Sequence, residues 1–347
     1  MKPITFALTL LLLSECKTNP DQCNCKSTFD WMTETFMEND AGYRTLVEFN
    51  NLDGVKNHTK ALRRRAKRTR HIRECEALMN EWLHFFRKEH IGIYAKSHSL
   101  GRQHNTSSKP NNRSTQLKAL NDKTLYLKIF SFEYQYKDQI DNLIKQNELL
   151  LTSFPNLIID IRGSGGGSDA SFQGLLPFIY TNSMRWYGDE FYASEQNTIF
   201  FEQYAGKRSD KSLLEMAKKM RNTQGEFVIF NDPVMTASFD TVMPYPKRIG
   251  IICDRYNGSS DESFLVLARQ SQKVKIFGEP TGGAFDYANM NSIKSPDENF
   301  ELWYAMSRST IRNEYPIDGI GIQPDFYLDR FLEEDWIEYT RSILEQQ

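Results

Sequence analysis

A serine at position 259 stands where the sequence predicts a turn between a strand and a helix. Residues 257–262 read Asn-Gly-Ser-Ser-Asp-Glu, follow an apolar run at 249–253 and precede a helical pattern. A serine at such a junction is exposed at the edge of a sheet, and the helix N-terminus behind it favours developing negative charge. Ser259 is therefore a candidate nucleophile. Ser259 and Glu262 also fit a capping box, which satisfies helix amides without any catalysis.

A glycine-rich segment follows another apolar run, at 157–161. Residues 162–169 read Arg-Gly-Ser-Gly-Gly-Gly-Ser-Asp. Consecutive glycines expose backbone amides and let a ligand approach closely. Gly165 and Gly166 are candidate donors of an oxyanion hole, together with the amide of Ser260. The spacing of the glycines also fits a dinucleotide-binding loop loosely, and a tight turn without a ligand is the third interpretation.

The histidines restrict the choice of a general base. All six lie between His58 and His104, outside the region that predicts a sheet. A histidine base for Ser259 must therefore come from the N-terminal region, and His90 is best placed because it ends an amphipathic helical pattern. Lys275 is the alternative, since burial in an apolar strand would lower its pKa. Lys273 shares the strand face of Lys275, however, which favours a solvated lysine face.

Strands and helices alternate in the C-terminal two thirds of the chain. Short apolar runs occur at 125–130, 157–161, 249–253 and 274–277, with helical patterns between them. This alternation predicts an α/β fold with a mostly parallel sheet. The remaining organisation is predicted as an N-terminal helical domain at 17–98, a linker rich in polar residues at 99–122, an α/β core at 123–330 and a C-terminal helix at 331–347.

The first residues predict an export signal over 1–16. Lys2 precedes a short apolar stretch at 4–13, and polar sequence follows. A stretch of this length suits export and is too short to span a bilayer. Cys16 resembles a lipoprotein cleavage site, although Glu15 replaces the usual small residue. We therefore expect a periplasmic or cell-surface protein, with possible membrane attachment through a lipidated Cys16.

Composition excludes some classes of function. The 347 residues carry a net charge of −2 and have a mean hydropathy of −0.58. No global basic charge supports nucleic-acid binding. The basic stretch at 63–70 suits a solvated helix face, or else contact with anionic lipid or an acidic partner. The cysteines other than Cys16 allow a disulfide in an oxidising compartment, but the sequence does not give its pairing.

Taken together, the motifs resemble the C-terminal processing (tail-specific) serine peptidase family. Residues 157–167 resemble its strand that ends in Asp-x-Arg-x-Asn-Gly-Gly-Gly, with Ser164 in place of asparagine. Ser259 to Glu262 is similar to its Ser-x-x-Glu nucleophile motif. Three further segments match family elements in order: Lys-Glu-His-Ile-Gly at 88–92, Phe-Gly-Glu-Pro-Thr-Gly-Gly at 277–283 and Asp-Gly-Ile-Gly-Ile-Gln-Pro-Asp at 318–325.

The resemblance implies a ClpP/crotonase-like fold and a serine peptidase that acts on peptides or unfolded proteins without a metal or cofactor. Members with a Ser–Lys dyad carry a lysine where this chain has Ala284. The chain is therefore closer to the tricorn-like branch, in which histidine is the base, and Asp318 occupies the place of that branch's supporting acid. The family's peptide-binding PDZ module is absent, because only the short predicted linker separates the helical region from the core.

A binding module without catalysis is the alternative function. The same fold resembles the repeats of retinoid-binding proteins of the retina, whose cleft holds an apolar ligand. The aromatic-rich insertion at 183–224 would suit such a ligand or a hydrophobic peptide, and each aromatic could equally be a core residue. The aromatics in question are Phe191, Tyr192, Phe200, Phe201 and Tyr204.

Overall fold

The computed structural model describes residues 21–50, 52–96 and 114–346. The predicted export signal, the candidate lipidation site Cys16 and most of the predicted linker lie outside these residues. The helices are α1 Cys25–Asn39, α2 Ala41–Glu48, α3 Val55–Ala66, α4 Ile72–Leu83, α5 Lys137–Gln146, α6 Glu148–Leu151, α7 Leu176–Ile179, α8 Glu195–Arg208, α9 Lys211–Asn222, α10 Ser260–Ala268 and α11 Trp336–Gln346. The strands are β1 Gly92–Ala95, β2 Gln116–Ala119, β3 Thr124–Lys128, β4 Asn156–Asp160, β5 Met184–Tyr187, β6 Asp189–Tyr192, β7 Phe227–Ile229, β8 Val234–Ala237, β9 Arg248–Cys253, β10 Val274–Gly278, β11 Tyr287–Lys294, β12 Phe300–Ser309 and β13 Phe326–Tyr327.

The predicted α/β fold with a mostly parallel sheet is confirmed. The central sheet has six strands in the order β13-β10-β9-β4-β3-β2, and every pairing is parallel except β2 with β3. Its middle strands are apolar on both sides because both faces are covered. Ile159 and Ile251 belong to the core on one face, together with Phe264 of α10. The opposite face packs against α11, with Trp336 in its core.

A second sheet, which the sequence did not predict, is antiparallel. Its strands follow the order β1-β12-β6-β7, and β11 also pairs with β12. The long β12 bonds to β11 along one edge and to β1 and β6 along the other. β1 and β12 are some two hundred residues apart in the chain, so no local pattern announces their pairing.

The N-terminal helices cover this second sheet. Phe29 and Trp82 share one buried core with Phe300 and Tyr304 of β12. A disulfide between Cys25 and Cys75 joins α1 to α4. Two details therefore differ from the predicted organisation. The helical region shares its core with the C-terminal half and ends in a strand, and residues 116–119 of the predicted linker form β2.

Within the described residues, no helix combines the length and apolar character that crossing a bilayer requires.

Candidate active site

Ser259 lies in the turn between β9 and the N-terminus of α10. Its φ of 58° and ψ of −122° lie in a region that residues other than glycine rarely adopt. Its amide donates to the carbonyl of Ala284 over 3.0 Å, and Glu262 Oε2 lies 3.3 Å from the same amide. Ser259 and Glu262 have the arrangement of a capping box at the N-terminus of α10, so the capping interpretation also holds. A hydroxyl that accepts from a helix amide still has its own proton to donate, so this arrangement does not prevent Ser259 from acting as a nucleophile.

Ser259 opens onto a cavity of about 490 Å³. His90 lines the same cavity, although it comes from the segment after α4. Of the predicted site residues, Ser259, Ser260 and His90 therefore meet at one place, and Ala284 lies beside them. The lining also contains Gly167, Ser168, Asp169, Arg185, Trp186, Tyr187, Asp189, Ser263, Val266, Leu267, Phe285, Ala288, Asn289, Met290 and Ser309.

The orientation of the His90 ring follows from one hydrogen bond. Nδ1 lies 2.6 Å from the carbonyl oxygen of Tyr287. A carbonyl oxygen only accepts, so Nδ1 carries the proton and Nε2 keeps its lone pair. Burial lowers the pKa of His90, the Tyr287 carbonyl raises it, and the nearby charge of Arg87 lowers it. The net lowering keeps His90 neutral at neutral pH, which is the state that a general base requires.

A buried ion pair holds the backbone of His90. Arg87 Nη1 donates to Asp40 Oδ1 over 2.8 Å, and Arg87 Nη2 donates to Asp40 Oδ2 over 2.5 Å. Nη2 also donates to the carbonyl oxygen of His90 over 2.9 Å. Asp40 accepts from the amide of Ala305 in β12 over 3.2 Å, which fixes the pair to the second sheet. Sequence reasoning missed this pair, because its partners are 47 residues apart and match no motif.

Asp318 supports the site through the backbone. Its Oδ1 accepts from the amides of Phe285 and Asp286 over 2.6 and 2.7 Å. Among the hydrogen bonds of the described residues, none joins Asp318 to His90 or to Ser259. Burial raises the pKa of Asp318 to about 7, and the charge of Asp286 adds to the increase. The carboxyl group thus fixes the chain just before Tyr287, whose carbonyl orients His90.

The glycine-rich segment lies directly against the nucleophile turn. A side chain on Gly166, which has a φ of +87°, would come 2.9 Å from Ser259 Cβ and 2.5 Å from the Gly258 carbonyl oxygen. The amide of Gly166 donates to Asp261 Oδ2 over 2.9 Å, so it already has an acceptor. Of the two predicted donors, Gly165 and Gly166, neither is among the lining residues of the cavity, whereas Gly167 is.

Asp261 fastens the glycine-rich segment to the nucleophile turn. It is fully buried and accepts from the hydroxyl of Ser164 over 2.7 Å and from Asn257 Nδ2 over 2.8 Å. Burial raises its pKa to about 7, although each of these hydrogen bonds lowers it. Ser164, which replaces the asparagine of the family pattern, therefore still bonds across the site.

Glu262 connects the nucleophile motif to the segment at 277–283. Its Oε1 accepts from the amide of Gly283 over 2.9 Å, and its Oε2 accepts from the amide of Ala284 over 2.8 Å. Burial raises its pKa to about 7. The hydroxyl of Thr281 accepts from the amide of Ile322 over 2.7 Å, which connects the segment at 277–283 to the segment at 318–325. The motifs that are separated in the sequence thus form one hydrogen-bonded unit around Ser259.

Neither the alternative base nor the five aromatics singled out in the insertion line this cavity, although Trp186 and Tyr187 of the same insertion do. Lys275 is exposed on β10 and is not among the described lining residues. Phe201 is buried in the core under the N-terminal helices, and Phe191 and Phe200 pack against that core. None of the five aromatics singled out in the insertion lines the cavity in the described part of the chain. Tyr192 is also buried, whereas Tyr204 is partly exposed and stacks on the ring of Phe200.

A sequence comparison identifies the chain that forms this cavity as a serine-type peptidase. The sequence profile of Peptidase family S41 matches residues 123–328, which is more than half of the chain. The chain belongs to this family, and the resemblance seen in the motifs is confirmed. No curated protein sequence matches the chain.

Solved structures share the fold over almost the whole chain. Mature CPAF has a TM-score of 0.64 at 9% identity, with coverage of 93% of this chain and 96% of CPAF. A candidate peptidase from Parabacteroides merdae has a TM-score of 0.59 at 14% identity, with coverage of 92% and 96%. A lipoprotein from Streptococcus agalactiae has a TM-score of 0.52 at 14% identity, with coverage of 98% and 99%. At these identities the likeness concerns the fold.

Proposed function

We propose that the protein is an exported serine endopeptidase that cleaves peptides or unstructured protein segments, with Ser259 as nucleophile and His90 as base. One observation carries this proposal. Ser259 and His90 line the same cavity, and the bond from His90 Nδ1 to the Tyr287 carbonyl leaves Nε2 as a proton acceptor.

The reaction is acyl transfer in two halves. His90 Nε2 takes the proton of Ser259 as its oxygen attacks the peptide carbonyl, and the protonated ring then gives that proton to the leaving amine. A water molecule next attacks the acyl-enzyme, again with His90 as base. The acid is released and Ser259 recovers its proton. His90 carries every proton transfer in both halves of this reaction. No step requires a metal or an organic cofactor.

The oxyanion of each tetrahedral intermediate needs backbone donors. The amide of Ser260 begins α10, where the helix dipole also favours negative charge. Because the amide of Gly166 already bonds to Asp261, the proposed second donor is the amide of Gly167, which lines the cavity. This assignment keeps the predicted role of the glycine-rich segment and moves it by one residue.

The positions of the side chains relative to the cavity favour histidine over lysine as the general base. Ala284 stands in the cavity where lysine-dependent members carry their base, and Lys275 is exposed on β10. Arg185 is the basic residue besides His90 among the described lining residues, and arginine does not deprotonate in proteins. These facts support the tricorn-like assignment, with Asp318 as a positioning residue.

Export and lipidation rest on different observations. The Cys25–Cys75 disulfide is typical of proteins from oxidising compartments. One structure of similar fold is described as a lipoprotein. Mass spectrometry of the mature N-terminus tests export, and loss of palmitate labelling in Cys16→Ala tests lipidation. A mature protein that retains Met1 in a cytoplasmic fraction would contradict both.

Covalent labelling tests the catalytic proposal directly. A fluorophosphonate probe is expected to modify wild-type protein at Ser259 and to leave Ser259→Ala unmodified. His90→Ala should label far more slowly, because the hydroxyl loses its base. A folded wild-type protein that takes up no probe would favour the alternative of a binding module.

A further inference from the structure

Two carboxylates line the cavity that contains Ser259. Asp169 is the last residue of the glycine-rich segment, and Asp189 is the first residue of β6. The sequence assigned a role to neither of them, and neither takes part in the acyl-transfer mechanism. Both are brought to the nucleophile only by the fold.

The partners of these carboxylates are uncharged. The hydroxyls of Ser260 and Ser263 of α10 lie close enough to Asp169 to lower its pKa against the increase that burial causes. Asn289 Nδ2 donates to Asp189 Oδ2 over 3.1 Å. Burial raises the pKa of both groups, and the charge of Asp169 contributes to raising that of Asp189, to about 6. The two groups are therefore close enough to repel each other.

The neighbouring arginines are engaged elsewhere. Arg185 lines the cavity, but it pairs with Glu314 over 3.3 Å and lies over the ring of Tyr187. Arg308 is buried and pairs with Glu48 and Glu190. Among the described residues, no lysine or arginine forms an ion pair with Asp169 or Asp189. The cavity thus holds two carboxylates that have no ion-pair partner among the described residues, and the arginine on its lining is paired with Glu314.

Such an arrangement favours a cationic ligand. Partly desolvated carboxylates that repel each other are costly, and a cation between them removes the repulsion and supplies hydrogen-bond donors. Val266, Leu267 and Met290 line the same cavity and offer apolar surface to an aliphatic stem. A lysine or arginine side chain has this combination of a cationic end and an apolar stem.

The contacts of Asp169 locate this cation relative to the scissile bond. Ser260, a neighbour of Asp169, directly follows the nucleophile, and Ser263 lies one turn further along α10. We propose that Asp169 and Asp189 form a subsite that binds a cationic group of the substrate beside the scissile bond. The cation is a lysine or arginine side chain or a free N-terminal ammonium. This inference rests on the proposed peptidase function and names its substrate class.

Matched peptides test the charge itself. The full chain is assayed with internally quenched, Nα-acetylated peptides that carry arginine or citrulline at each position flanking the cleaved bond. Citrulline keeps the shape and removes the charge. We expect kcat/KM to be about 10- to 100-fold higher for arginine at one position, the range for hydrogen bonds to charged groups. A second set without basic residues compares free with acetylated N-termini, which identifies an ammonium as the bound cation.

Variants connect the preference to the carboxylates. Asp189→Asn should lower the arginine-to-citrulline ratio about tenfold, the scale on which one charge-assisted hydrogen bond acts. Asp240→Asn, at an exposed position away from the cavity, should leave the ratio unchanged. If Asp189→Asn loses its thermal unfolding transition, Asp169→Asn is judged by the same ratio. A wild-type ratio near one in both peptide sets would overturn the inference, as would a ratio that neither variant changes.

Binding separates this inference from the proposed function. Fluorescence anisotropy with Ser259→Ala measures the Kd of the same arginine and citrulline peptides without cleavage. If wild-type protein neither labels with fluorophosphonate nor cleaves, the proposed function fails, and the Kd ratio still decides the inference. If the protein labels at Ser259 but both ratios are near one, the inference alone fails.

Discussion

The Nδ1 atom of His90 lies 2.6 Å from the carbonyl oxygen of Tyr287, 197 residues later in the chain. In the proposed mechanism this backbone carbonyl takes the place of the carboxylate of many serine peptidases: it fixes the tautomer and leaves Nε2 as the proton acceptor. The predicted supporting acid, Asp318, holds the amides of Phe285 and Asp286 instead. A neutral backbone carbonyl therefore contacts His90, and the Asp318 carboxyl group acts only on the backbone that precedes this carbonyl.

The choice of base is tested by three alanine variants. Ser259→Ala and His90→Ala should each lower kcat/KM on an unstructured peptide by several orders of magnitude, as for other nucleophile–base pairs. Lys275→Ala should keep most of the activity, since Lys275 is exposed on β10. Thermal unfolding monitored by circular dichroism confirms that all three variants are folded. An inactive Lys275→Ala beside an active His90→Ala would show that lysine is the base.

The pH profile of kcat/KM reports the protonation of His90 in the free enzyme. Burial lowers the pKa of His90 below its ordinary value of 6.5. A protonated ring cannot accept the proton of Ser259, so activity should fall as the pH decreases through this lowered pKa. We expect full activity at pH 7 and an acid limb with a midpoint below pH 6.5. A midpoint well above 7 would contradict the assignment of a buried, neutral histidine.

Substitutions of Asp318 separate a charge effect from a backbone effect. An asparagine oxygen can still accept from the amides of Phe285 and Asp286, so Asp318→Asn should retain most of kcat/KM. Asp318→Ala removes the acceptor and should cost up to about 100-fold, the scale on which a displacement of about 1 Å acts in an active site. The acid limb should keep its position in Asp318→Asn. If Asp318→Asn is as inactive as His90→Ala, the charge of Asp318 acts on His90 directly.

The sequence predicted the parts of the molecule whose signals are local. The central sheet came from short apolar runs, and Ser259 and the glycine-rich segment came from turns that directly follow two of them. The second sheet was missed because β1 finds its partner in β12, and a strand of four residues has no distinctive pattern alone. The contact between His90 and Tyr287 was missed because a backbone acceptor can belong to any residue type.

The oxyanion hole shows the same limit at the level of one atom. The sequence identified exposed glycine amides but not their acceptors. Asp261 belongs to the first turn of α10 and was interpreted as part of the nucleophile motif. Its carboxylate accepts a hydrogen bond from the amide of Gly166, so the amide of Gly167 becomes the proposed oxyanion donor. Which amide can bind an oxyanion depends on tertiary hydrogen bonds, and the spacing of residues in the sequence does not reveal these.

The buried pair of Arg87 and Asp40 should contribute strongly to stability. Both side chains are almost fully buried, with exposures of 7% and 0%. Arg87→Ala leaves the Asp40 carboxylate buried without its partner and should lower the free energy of unfolding by about 3–5 kcal/mol. Arg63→Ala is the control, because Arg63 pairs with Asp30 at the surface, where an ion pair contributes little. Urea unfolding curves measure both, and equal effects would contradict the structural role of the buried pair.

The contact between Gly166 and Ser259 gives the sharpest test of the local geometry. A methyl group at Gly166 would lie 2.9 Å from Ser259 Cβ and 2.5 Å from the Gly258 carbonyl oxygen, at a φ of +87°. Gly166→Ala must therefore displace the nucleophile turn or the glycine-rich segment, and either movement separates Ser259 from its proposed oxyanion donors. Gly163→Ala is a matched control, because Gly163 also has a positive φ, of +70°, but its methyl group would meet nothing within 4 Å. Both variants carry backbone strain of about 1–2 kcal/mol, visible as a lower midpoint of thermal unfolding.

Only Gly166→Ala should also lose fluorophosphonate labelling at Ser259, by about 10²-fold or more, the scale for loss of one oxyanion donor. Equal labelling rates in the two variants would show that the glycine-rich segment does not support the nucleophile.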